Sequence, residues 1–154
     1  MTADPPTPTA PRGRGAYTLI EVMVVLTLMG VMIAMAAPSF RRAVEKANAD
    51  IAVANLRAIW AAQRVYWIAN RTYAADLPTL VGQDLVGPEV MSSSWPFHYA
   101  LNPSGDTSFT VTALRSAPHT YTGQFTIDET GAITGSLTNP SDSTEPAITP
   151  PQTQ

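Results

Sequence analysis

Few side chains in this sequence could do chemistry, and their spacing suits no reaction. There is no cysteine, which removes thiol catalysis and cysteine-held metal sites. The two histidines, His98 and His119, stand in a strand-like run and in a proline-marked turn, with no second ligand at metal-binding spacing. Asp106, Asp128 and Glu129 fall in glycine-containing turns, where a carboxylate serves the local backbone first. No nucleophile, base and orienting acid come together, and no glycine-rich phosphate loop follows a strand. Trp60, Tyr66 and Trp67 could stack on a ligand, but their helical spacing marks them as packing residues. One carboxylate is different. Glu21 heads a run, Val22–Phe40, that holds no charge at all. An acidic group at the edge of such a run costs up to about 2.5–3.5 kcal/mol at mid-bilayer, and less near the interface, so it calls for a partner. An enzyme is not expected, and neither a metal nor a cofactor.

The element that must carry Glu21 is a long helix. Val22–Ala37 is apolar throughout and nearly long enough to span a bilayer's hydrocarbon core, which takes about 20 residues. Pro38 then removes one backbone hydrogen bond, which predicts a kink or a stop. Beyond it the pattern becomes amphipathic. Ala52, Leu56, Ile59, Trp60, Gln63 and Trp67 share one face, while Lys46, Asp50, Arg57 and Arg64 gather on another. A helix from Tyr17 to about Asn70 is longer than a small domain can bury, so its first half needs other surroundings.

After the helix the pattern changes twice. Arg71 to Pro96 reads as an irregular connection, with Leu77, Leu80, Leu85, Val86 and Val90 pinning it to a core. From Phe97 the period drops to two, predicting strands over Phe97–Leu101, Phe109–Leu114, Tyr121–Ile127 and Ala132–Leu137, joined by short turns. Short links imply an antiparallel meander with one apolar face, and the stripe with Leu56, Trp60 and Trp67 is its natural cover. The 14 prolines cluster at the two ends, which reads as disorder there. The expected organisation is therefore a leader (1–16), an apolar helix (17–40), its amphipathic continuation (41–70), a connecting loop (71–96), a sheet (97–137) and a disordered tail (138–154). The fold class is α+β.

Charge narrows the function. The net charge of -3 offers no basic footprint for nucleic acid, and removing Arg12, Arg14 and Asp4 with the leader leaves the rest at -4. Only 14% of residues are charged, low against the quarter usual in soluble domains. Asn70-Arg71-Thr72 fits a glycosylation sequon, a weak signal.

The stretch Gly15-Ala16-Tyr17-Thr18-Leu19-Ile20-Glu21-Val22 resembles the processing site of type IV prepilins and of the pseudopilins of type II secretion. That family has a basic leader ending in a small residue, an aromatic first mature residue, Thr-Leu-Ile-Glu, and an apolar run. Setting Glu21 as the family's fifth mature residue makes Tyr17 the first and puts cleavage after Ala16. Alanine there, in place of glycine, is a departure, and cleavage after Gly15 is the alternative. Pro38 falls where many members have a helix-loosening proline. The resemblance covers Arg14 to about Phe40. It implies a prepilin peptidase that cleaves the leader, N-methylation of Tyr17, and extraction from the bacterial inner membrane, through an assembly platform, into a periplasmic or extracellular filament of pilin-like subunits. Tyr17, Leu19, Ile20, Glu21, Val22 and Pro38 become assembly residues. Glu21 would pair with the free amine of a neighbouring subunit and set the register. A plain reading of Glu21 also stands: it can reach the headgroups and pair with Arg14 or water.

The competing reading is an ordinary secretory signal or anchor, with Arg12 and Arg14 as its charged region, Val22–Ile33 as its apolar core and Ala34-Met35-Ala36 as its cleavage site. The sheet would then be the working part of a small secreted or tethered binding module.

Overall fold

The structure, a computed structural model, describes residues 17–91, 96–103, 107–116 and 120–151, with the side chains of residues 36–38 outside that description. The elements follow in order: helix α1 (Leu19–Asn70), helix α2 (Leu77–Gly82), a 3-10 turn (Pro88–Met91), and strands β1 (His98–Pro103), β2 (Phe109–Arg115), β3 (Thr122–Asp128) and β4 (Ile133–Thr138). The chain divides into two compact units, Met1–Phe40 and Arg41–Gln154. The helix does not stop at Pro38 but continues to Asn70. There Arg71 takes a left-handed conformation (φ 59°) and its N–H closes on the Trp67 carbonyl at 2.8 Å, an ending usually given to glycine.

In the second unit the strands form an antiparallel meander in the order β1-β2-β3-β4, each within two residues of its expected place. Register is fixed by pairs such as Leu101 with Val111, Ala113 with Phe125 and Phe125 with Gly135. Gly135 is required there. Its φ is +108°, and a Cβ would meet the Gln124 carbonyl oxygen at 2.1 Å. The buried face of β2 (Phe109, Val111, Ala113) and Phe125 and Ile127 of β3 pack with Ala52, Leu56 and Ile59 of α1 in one core.

Polar groups tie the helix to its cover. Gln63 is fully buried and grips Ala74 from both sides, accepting from its N–H at 2.8 Å and donating to its carbonyl at 3.1 Å. The Trp60 indole donates to the Glu129 carbonyl at 3.0 Å, and Asn55 donates to the Tyr99 hydroxyl at 2.9 Å. Arg115 is buried. It pairs with Glu45 of α1 at 2.6 Å and donates to the Pro96 carbonyl at 2.7 Å. The second carboxylate oxygen of Glu45 is buried without a hydrogen-bond partner among the described residues.

Two expectations need correction. The connection 71–96 contains α2, started by the Asp76 carboxylate accepting from the Thr79 N–H at 2.9 Å and by a proline in its first turn. The Thr79 hydroxyl, which donates to the same carboxylate at 2.6 Å, and then the Thr79 N–H hold the Asp76 carboxyl below its ordinary range. The tail was expected to be disordered from Thr138, yet Ile148 exchanges two 2.9 Å backbone bonds with Leu137 and is buried. Glu145 clasps this segment to the rest. It accepts from the Tyr121 hydroxyl, from Arg42 at 3.3 Å and from Asn139 at 3.1 Å. Those bonds, the Tyr121 hydroxyl first, hold its carboxyl below the usual range. Burial, and then the Glu145 carboxylate, push the Tyr121 phenol up to about 12.

Candidate functional site

The first unit carries most of the residues that the sequence singled out, and its local structure follows from them. Thr18 caps α1: its hydroxyl and carbonyl oxygens receive the Glu21 N–H at 3.3 and 3.1 Å. A threonine followed three residues later by glutamate starts helices because it meets backbone donors the first turn leaves unmet. Glu21 therefore lies in the first turn, where the positive end of the helix dipole favours a carboxylate. Its side chain has no partner among the described residues.

The rest of the segment is apolar and outward. Leu19 is 78% exposed, Ile20 70% and Val22 48%, and none of the 18-residue window of highest hydropathy in α1, mean 2.4, is buried in the fold. By length and composition the helix can cross a membrane. Thr27 does not spoil this, because its hydroxyl donates to the Val24 and Met23 carbonyls at 2.8 and 3.0 Å. A hydroxyl satisfied within its own helix makes no demand on lipid. Glu21 then stands at the head of the apolar stretch as a charge that no side chain answers among the described residues.

The structure brings Tyr17 and Glu21 to one side, where with Val22, Val25 and Leu26 they line a shallow groove. Pro38 lies within the helical backbone. Gly15 and Ala16, the residues expected at the processing site, lie outside the described residues, as do His119 and Asp106. His98 is exposed on β1, and among the described residues no group of three His, Asp or Glu could hold a metal. Reading the sequence missed the buried Arg115 and the clasp at Glu145. For Arg115 a signal existed: the two-residue period puts it on the same face as Phe109, Val111 and Ala113.

A long helix, apolar and uncovered at its start, and a small antiparallel sheet packed on its later part make an α+β fold. Comparison with known proteins adds a second line. Residues 11–37 match the family described as the prokaryotic N-terminal methylation motif. The chain is 34% identical over 64 residues to the type IV major pilin protein PilA of Myxococcus xanthus, covering 42% of this chain and 29% of that protein. It is 31% identical over 84 residues to the type II secretion system core protein G of Aeromonas hydrophila, covering 53% of this chain and 59% of that protein. The matched stretches thus span less than two thirds of either relative. The chain is thus similar to a type IV pilin and to a type II secretion core protein, and residues 11–37 carry the methylation motif.

Proposed function

We propose that this chain is a structural subunit of a type IV pilus-like or type II secretion pseudopilus filament. It is made as an inner-membrane precursor, cleaved after Ala16, methylated on the Tyr17 nitrogen and assembled by helix packing; it is not an enzyme. The observation that carries this reading is the uncovered apolar helix from Leu19, with Glu21 in its first turn and without a side-chain partner among the described residues. Lipid tails are as apolar as neighbouring helices, so leaving the membrane is decided by packing and by polar pairs. A carboxylate facing the new amine of a neighbour supplies such a pair, and the axial position at which it closes sets the register.

The test has two parts. The mass of the native protein is expected to correspond to a chain that starts at a methylated Tyr17; a chain starting at Ala37 supports secretion and sinks the proposal. Glu21→Val is expected to insert and be cleaved normally. Its neighbour's amine is left buried and unpaired, at about 3–5 kcal/mol, so filament yield on electron microscopy falls by at least about tenfold. Normal filaments from this variant would remove Glu21 from the mechanism.

A further inference from the structure

Beyond Phe40, α1 carries two apolar stripes, and only the one facing the sheet is used. On the other, Val44, Ile51, Ala58 and Val65 recur every seven residues, and a second row three residues further along ends at Ile68. Val44 is 39% exposed, Ile51 and Val65 52%, and Ile68 67%. A seven-residue apolar repeat is the spacing by which a helix packs on another surface along its length. In the sequence the same spacing runs back through Phe40, Ile33 and Leu26 to Leu19.

A basic row keeps step beside it: Arg57, Arg64 and Arg71, all exposed. The Arg64 guanidinium lies over the Trp60 ring and that of Arg71 over the Trp67 ring, each at 5.3 Å. Two of the three cations are therefore held in place, which suits them to carboxylates. The indole faces beneath them are taken, so these two rings offer no base a platform on that side. The charge of the unit is divided accordingly. Residues 41–71 hold six bases against two acids, and residues 72–154 hold eight acids against Arg115 alone, giving +4 and -7. Asp84, Glu89 and Asp142 of the acidic part are exposed.

We propose that the outward face of α1 from Val44 to Ile68, with its arginine row, is a docking surface for a second copy of this chain, which presents its acidic part to it. Two such faces set against each other would oppose arginine to arginine, so the contact is heterologous. A heterologous contact repeats head to tail, and where its rotation does not close a ring it builds a fibre. This second interface rests on the filament reading only in that copies must stand side by side; it adds contacts outside the membrane-spanning segment.

Because the chain has no cysteine, single introduced cysteines report cleanly. In filaments of the full mature chain, Ala58→Cys is expected to react with maleimide about tenfold more slowly than in detergent micelles. Adding Asp84→Cys, Glu89→Cys or Asp142→Cys to it should yield, for at least one pair, disulfide-linked ladders on oxidation. Equal reactivity in filaments and micelles overturns the interface and leaves the filament intact. Dimers joined through residue 58 alone, or protection without a ladder from any pair, overturn the acidic partner. Protection abolished by nuclease would make the occupant a nucleic acid, which also overturns it. A wild-type chain that forms no filaments refutes the proposed function, and this inference with it.

Discussion

Two carboxylates on one helix face opposite circumstances. Glu45 finds Arg115 within its own chain, and the residues around it, Asn48, Ala49 and Ala52, are buried. Glu21, 24 residues earlier in the same α1, has no partner among the described residues, and the apolar side chains after it are exposed. Local propensity is alike in the two stretches. What differs is where the covering surface comes from. The second unit supplies its own sheet, whereas the described residues of the first supply no cover for its apolar surface. A helix can thus be finished in one part and unfinished in another, and the unfinished part is where function should be sought.

That contrast can be broken or sharpened by substitution, with stability of the full chain read by circular dichroism in micelles. The largest effect should come from Arg115→Met, which strands the Glu45 carboxylate in the core and costs about 3–5 kcal/mol. Glu45→Leu with Arg115→Met should restore most of it, because a partly satisfied buried pair is replaceable by apolar packing. A double variant as unstable as the single one would show that the pair itself is needed. Next, Leu56→Ala should cost about 2–5 kcal/mol, and Leu26→Ala should leave stability within about 0.5 kcal/mol. Equal costs would erase the distinction between the units. Gln63→Leu leaves the Ala74 N–H and carbonyl without partners and should cost about 1–3 kcal/mol.

The smallest effect is on pH. The Glu145 carboxyl is held below its ordinary range in the folded chain, so its contribution is present above that range and is lost as pH falls through the folded value. Amide exchange at Ile148 should therefore speed up in acid before exchange at Phe125 does. For Tyr121, raised from 10.0 to about 12, the contribution holds below the lower value and is lost as pH climbs to the upper. Phenolate absorbance over that window follows it. Simultaneous loss of both amides in acid would mean that the clasp is not a separate element.

Much of this fold was legible because its signals are periodic. The stripe with Leu56, Ile59 and Gln63, the four strands and the turn at Asp128–Gly131 all followed from spacing and turn chemistry, and Thr18-Leu19-Ile20-Glu21 with its apolar run lies within the methylation motif that residues 11–37 match. What escaped depends on single residues. Asp76-Leu77-Pro78 is a helix start that was passed over as loop. The proline-marked tail looked like disorder because composition averages away one isoleucine and one glutamate, yet Ile148 and Glu145 are enough to seat it. Arg115 escaped because arginine is seldom buried, although its parity along β2 was in view. The outward seam from Val44 to Ile68 was hidden among alanines, which favour helix whatever face they occupy.

The clasp at Glu145 joins positions 103 residues apart in the chain. Closing so long a loop is slow compared with forming the helix or the hairpins between its ends. During synthesis Arg42 emerges long before its mate exists, and the greasy stretch ahead of it is already out. On the proposed function, insertion of the apolar stretch need not wait for the outer part to close. The emergence of that stretch and the completion of the second unit are in this way separated in time by the topology alone.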